Sequence, residues 1–157
     1  MVEFSKQQRV EVGAAKIFMK FLGVKTTDRD FKFPDQADSI DVVYTPNDLK
    51  FQITSFDGGP SKLLNNGKYE YGIELDKVID EYFIKPTKKK IAKYRAHGVS
   101  DVILLIHGIV KPGRSDMLEK DIKKQSSKIK KIAVESGFES IYFIFDINDE
   151  VILVYKR

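Results

Sequence analysis

Ser39-Ile-Asp-Val-Val-Tyr44, Thr45-Pro-Asn-Asp48 and Leu49-Lys-Phe-Gln-Ile-Thr-Ser55 form the stretch whose reading decides the fold. Apolar and polar residues alternate on both sides of Thr45–Asp48, and the Pro, Asn and Asp between them carry turn chemistry. Two half-buried strands joined as a hairpin are therefore predicted. A four-residue turn pairs Tyr44 with Leu49 and sets Asp41 opposite Gln52. In that register Ile40, Val42 and Tyr44 share a face with Leu49, Phe51 and Ile53, and Asp41, Gln52 and Thr54 share the other. A slip of one residue would send the two apolar sets to opposite faces, so the hydrophobic pattern selects this register.

The flanking segments extend the pattern. Upstream, Ser5 can cap a helix running to about Leu22, with Gly23 supplying a left-handed stop, and Phe31–Phe33 reads as a short strand. Downstream, a helix over about Leu75–Ile84 stops before Pro86. Thr87 then caps another that runs to His97. Val102–His107 is almost wholly apolar, as a strand buried on both faces requires. A long helix from Ser115 or Asp116 to about Ser136 follows, ended by Gly137. Ile141–Ile147 and Val151–Tyr155 close the chain as a hairpin across Asn148-Asp149. The order α-β-β-β-α-β-α-β-β predicts an α/β protein, a mixed central sheet flanked by helices, in one domain over residues 1–157.

Composition narrows the chemistry. The chain has 157 residues, 27 Lys and Arg against 23 Asp and Glu, two histidines and no cysteine. Disulfides, thiolate zinc sites and a cysteine nucleophile are excluded. His97 and His107 cannot build a multi-histidine metal site, which leaves hard, oxygen-ligated cations as the metal class this chain suits. No apolar run reaches the ~18 residues that span a bilayer, and the first residues do not resemble a cleavable signal, so a cytoplasmic protein is expected. The net charge of +4 hides two basic blocks. One is Lys85, Lys88, Lys89, Lys90, Lys93 and Arg95, with no acid between them. The other is Lys120, Lys123, Lys124, Lys128, Lys130 and Lys131. Such clusters can neutralise phosphates and release counterions, although exposed helical lysines are also ordinary solvation.

One acid breaks the pattern of the first helix. At about 100° per residue, Ala14, Ala15, Phe18 and Leu22 lie within roughly 60° of Glu11, with Val10 and Phe21 to one side. Glu11 thus falls inside the apolar stripe, where a carboxylate needs a cation, a metal or a path to water.

An inward helical glutamate, a strand aspartate (Ser39-Ile-Asp41-Val-Val) and an apolar-Gln-apolar-Thr strand (Phe51-Gln52-Ile53-Thr54) resemble the core of the PD-(D/E)XK, or restriction-endonuclease-like, nucleases. Lys90-Ile-Ala-Lys93-Tyr94 ahead of Val102-Ile-Leu-Leu-Ile106 fits the same pattern, and the likeness covers residues 5 to 107 in the order αβββαβ. It implies a Mg²⁺- or Mn²⁺-dependent endonuclease or related phosphodiesterase of restriction, repair or defence. DNA is the first partner and RNA the second, and a homodimer would supply paired cuts. By the resemblance Asp41 is the central metal ligand, Glu11 its partner, and the Ile53 backbone carbonyl completes the set. Gln52 stands where the family has Glu or Asp, and Thr54 where it has Lys. The lysine would then come from the next helix, Lys90 first and Lys93 second, with Lys88, Lys89, Lys93 and Arg95 contacting nucleic acid. Pro34-Asp35 precedes the strand and ranks below Asp41. His107 is read first as a structural residue at a strand end. The departures at 52 and 54 keep a second reading open, a catalytically degenerate module of the same fold that binds nucleic acid or protein. A small α/β interaction protein with solvated basic helices is the third.

Overall fold

A computed structural model of the chain describes residues 3–34, 40–55, 85–93, 101–108, 115–145 and 149–157. The elements are α1 (Lys6–Phe21), β1 (Phe31–Lys32), β2 (Val42–Tyr44), β3 (Leu49–Ser55), α2 (Lys85–Lys93), β4 (Val102–Gly108), α3 (Ser115–Lys124), α4 (Ser126–Ser136), β5 (Ser140–Phe145) and β6 (Glu150–Lys156). A 3-10 turn, Asp28–Asp30, leads into β1. The protein is mixed α/β: among the described residues six strands form one sheet in the order β1-β2-β3-β4-β5-β6. β3, β4 and β5 are mutually parallel, and the remaining neighbours pair antiparallel.

Helices cover both faces. On one, Val12, Ala14, Ala15, Phe18 and Met19 of α1 pack with Val42, Phe51, Ile53, Ile103, Leu105 and Ile144. On the other, Ile91 of α2, Ile122 of α3, and Ile129 and Ala133 of α4 pack with Val43, Leu104, Ile106, Phe143 and Phe145. Every residue of β4 is buried, which is why its sequence lacks the alternation of a one-sided strand.

Local signals explain the ends of α1. The Ser5 hydroxyl accepts from the Gln8 N–H at 3.1 Å and the Gln8 side chain accepts from the Ser5 N–H at 2.9 Å, a reciprocal cap. Gly23 leaves the helix at φ 80°, a conformation glycine adopts without strain. Phe18 anchors the layer, its ring centroid 5.7 Å from Phe51 and 4.7 Å from Tyr142. Phe18→Ala should therefore cost about 3–5 kcal/mol, read as a lower urea midpoint with an unchanged m-value.

The hairpin register is the expected one, with Tyr44 paired to Leu49 and Val42 to Phe51. Asp48 takes φ 57° at the turn, which Asp tolerates better than most residues. Three expectations need correction. Ile40 does not share a face with Val42: it packs with Val43 in the opposite core. The Asp41 N–H donates to the Phe51 carbonyl at 2.8 Å, the same residue that pairs with Val42, so two residues oppose one and the alternation is interrupted as in a β-bulge. The long C-terminal helix is two, broken at Gln125 (φ −100°, ψ 12°). Gln125-Ser126-Ser127 interrupts the strong helix formers there, and serine competes for backbone hydrogen bonds. Finally, α2 begins at Lys85, not at Thr87, because a proline in the first helical turn loses no hydrogen bond. The expected Leu75–Ile84 helix and Asn148 of the terminal turn lie outside the described residues.

Among the described residues, no helix is long and apolar enough to cross a membrane.

Candidate active site

The parallel pairing of β3 and β4 sets Ser55 beside His107 at the carboxyl ends of both strands. The first turns of α1 lie over the same place. Lys6, Gln7, Val10 and Glu11 of α1, with Ile53, Thr54, Ser55 and His107, line an open cleft of about 540 Å³. In open α/β sheets, strand carboxyl ends are where ligands are commonly held.

Glu11 enters from the buried stripe of α1, with Ala14, Ala15 and Phe18 on its side of the helix. The wheel erred at its edges: Leu22 is exposed beyond the helix end, while Val12 and Met19 are buried. The Gln7 side-chain amide, one turn earlier, donates to Glu11 Oε1 at 3.0 Å. Burial holds the Glu11 carboxyl above its usual pKa, the Gln7 bond opposes this, the charge of Asp41 adds to it, and His107 opposes it. Asp41 comes from the start of β2, and its carboxylate accepts the Ile53 N–H at 2.8 Å. Its pKa is also raised, by burial first, with the Ile53 bond opposing. The break in alternation has a consequence here. Ile40 reaches the far core and Val42 the α1 core, so the intervening Asp41 sits on the α1 side, not with Gln52 and Thr54. There its charge is felt by Glu11.

Gln52 and Thr54 are 7% and 8% exposed and alternate with Phe51 and Ile53, toward the α2 side of β3. Lys90 of α2 reaches this end of the strand, its Nζ donating to Thr54 Oγ1 at 3.1 Å and to the Ser55 carbonyl at 2.5 Å. The ammonium is therefore held at the carboxyl end of β3, from the α2 side. Lys89 and Lys93 are exposed and Lys88 half-buried on the same helix. Arg95 and Asp35 lie outside the described residues.

Glu11, Asp41, Ile53, Thr54 and Lys90 are thus brought to one end of the sheet, while the Gln52 side chain stays within the sheet–α2 layer. Lys6, Gln7 and Ser55 were missed by sequence reading, and His107 was read as structural. The i to i+4 spacing of Gln7 and Glu11 was a usable signal for the first. Ser55 and His107 carried none, since they meet only through the parallel strand register.

Among the described residues no group of three or more His, Cys, Asp or Glu side chains is arranged to hold a metal ion. Two half-buried carboxylates with raised pKa values, the charge of Asp41 adding to the rise at Glu11, are nonetheless a donor set that a hard cation relieves. Mg²⁺ commonly takes one or two carboxylates and keeps several waters, so the pair fits that ion. Comparison with family models, curated proteins and solved structures gave no match.

Proposed function

We propose that the chain is a divalent-metal-dependent endonuclease of the PD-(D/E)XK kind acting on DNA, with RNA as the second substrate. The observation that carries this reading is the placing of Glu11 and Asp41, from separate elements, toward the carboxyl end of β3, Glu11 lining the cleft and Asp41 accepting the Ile53 N–H, with Lys90 at the end of the same strand. Among the described residues the order α1-β1-β2-β3-α2-β4 is compatible with the αβββαβ core that the resemblance implies. Asp41, Glu11 and the Ile53 carbonyl would hold Mg²⁺ or Mn²⁺, which when bound polarises a phosphoryl oxygen and lowers the pKa of water. Lys90 supplies the positive charge that Thr54 lacks, toward the charge that builds on a phosphate during cleavage. Thr54 and Ser55 orient its ammonium by accepting two of its hydrogen bonds.

Supercoiled and linear DNA, incubated with Mg²⁺ or Mn²⁺, should be cut and should be protected by a chelator. Absence of cutting with either metal on either DNA or RNA overturns the proposal. The buried amide of Gln52, in place of a carboxylate, favours one rival, the same fold retained as a binding module. Binding without cutting would identify it. In either case α2 presents the charge. Replacing Lys88, Lys89 or Lys93 by Ala should reduce the slope of log K against log salt by about 1 for each phosphate no longer neutralised, measured by fluorescence anisotropy on a labelled duplex.

A further inference from the structure

α1 buries its apolar residues against the sheet, and the face it turns outward carries charge of one sign. At about 100° per residue, Lys6, Arg9, Gly13, Lys16 and Lys20 fall within an arc of about 80°, and no other residue of the helix lies inside it. Four are basic and the fifth is glycine. Glu11, the one acid of Lys6–Phe21, stands on the opposite side of the wheel. Lys6, Arg9 and Lys20 are exposed and Lys16 is half-buried.

Gly13 has no packing reason to be glycine. A Cβ built there meets nothing within 4 Å, and glycine inside a helix weakens it relative to alanine. What such a position offers is close approach of another backbone to the helix. The stripe also joins two hollows. At one end Lys6 lines the cleft that holds Glu11. At the other, Lys16 and Lys20 line an open hollow of about 560 Å³ with Gly23, Lys25 and Thr26. From Lys6 to Lys20 the helix rises about 21 Å, the length of about six base pairs of duplex.

Lys16 pairs with Asp28, and Lys20 with Asp149 at 3.1 Å, but each of these side chains is more than a third exposed. Surface pairs of this kind are weak, so a phosphate can take the place of the carboxylate. The Arg9 Nε donates to the Phe4 carbonyl at 3.2 Å, which keeps the guanidinium by the first turn. Charge selects the occupant. A second copy docked here would set like charges together. A helix lying in a membrane surface gives its apolar face to lipid, whereas that of α1 is packed on the sheet. The exposed Val10 and Phe21 lie to one side of the stripe.

We propose that the outer face of α1 binds the phosphate backbone of nucleic acid leaving the cleft, Arg9, Lys16 and Lys20 each meeting a phosphate and the backbone passing over Gly13. This contact is on the opposite face of the sheet from α2. It rests on nucleic acid being the substrate, as proposed above, and not on cleavage.

Fluorescence anisotropy on a labelled duplex, with a chelator present to prevent cutting, tests it. Arg9→Ala and Lys20→Ala should each lower the slope of log K against log salt by about 0.9. Lys50→Ala is the matched control, since Lys50 also pairs with an aspartate, Asp101 at 2.8 Å, but lies where β4 begins. It should leave the slope unchanged. Gly13→Leu alters no charge. It should raise the melting midpoint, because leucine is the better helix former. It should also weaken binding about fivefold at physiological salt, the effect of one lost phosphate contact. Unchanged slopes for Arg9→Ala and Lys20→Ala, an equal loss for Lys50→Ala, or wild-type affinity in Gly13→Leu overturns the proposal while leaving the nucleic-acid reading in place. A wild type that does not bind the duplex overturns both. Displacement of the duplex by phosphatidylcholine–phosphatidylserine vesicles would give the face to a membrane surface and overturn the proposal. A duplex bound as described but not cut under Mg²⁺ or Mn²⁺ supports this contact and removes the nuclease reading alone.

Discussion

Asp41→Asn is expected to abolish metal-dependent cleavage while raising the midpoint of thermal unfolding at neutral pH. The two effects have one origin. Asp41 is held partly buried at the start of β2, where its carboxylate accepts the Ile53 N–H and its pKa is raised by burial. An asparagine side-chain oxygen can accept the same bond, so the local backbone is kept and only the charge is lost. A carboxyl whose folded pKa lies above its unfolded value of about 3.8 destabilises the fold when ionised. The cost is full well above the folded pKa, shrinks as pH falls through it, and vanishes below the unfolded value. The gain from Asp41→Asn should therefore be present at pH 7 and absent by about pH 3, followed by thermal melts across that range. If Asp41 is a metal ligand as proposed, its loss should lower the cleavage rate by about 10²–10³-fold, comparable to removing other major electrostatic stabilisers. Adding Mg²⁺ should reverse the stability order, since an ion bound to the native wild type alone stabilises it by mass action. A variant that cuts like wild type would remove Asp41 from the site. A variant that is dead but also unfolded would be recognised by its melt.

The same aspartate shows where sequence stops being sufficient. Alternation gave the β2–β3 register, because Tyr44, Phe51 and Ile53 need one common apolar layer and a slip would expose them. It gave β4, because Val102–Ile106 is apolar on both faces. It put Glu11 in the stripe of α1, because helical spacing is a local property. It could not give the face of Asp41, which depends on one N–H choosing the Phe51 carbonyl and on a side chain taking the Ile53 N–H. Those are bonds between strands, and the two-residue period carries no trace of them. Nor could alternation bring Ser55 to His107. Their pairing follows from a parallel register that no turn specifies, since the connection between β3 and β4 is long. The site is thus legible as residue types on separate elements, and becomes a place only once the strands are in register.

Lys90→Ala should lose about 10²–10³ in cleavage rate with little loss of DNA affinity, and Thr54→Lys in that background should recover at least tenfold. The expectation rests on where the lysine comes from. On the proposed nuclease reading Thr54 would occupy the strand position of the family's lysine, while Lys90 reaches the same strand end from α2 and donates to Thr54 Oγ1. If position near the scissile phosphate matters and chain origin does not, a lysine grafted at 54 replaces the one removed at 90. Single-turnover rates separate this from loss of a surface charge. Removing a lysine that only pairs with a phosphate weakens binding and its salt dependence, whereas removing a charge that acts on the transition state lowers the rate of the bound complex. Lys89→Ala, on the same helix and exposed, is the matched control: it should shift affinity and leave the single-turnover rate unchanged. If Lys90→Ala cuts as fast as wild type, Lys90 has no part in the chemistry. If the rate falls and Thr54→Lys does not restore it, the ammonium serves to hold the Thr54–Ser55 strand end in place, as its bond to the Ser55 carbonyl would equally allow. Urea melts of Lys90→Ala then supply the deciding difference, because a strand-end clamp removed from the fold lowers stability and a charge that acts only on a bound phosphate does not.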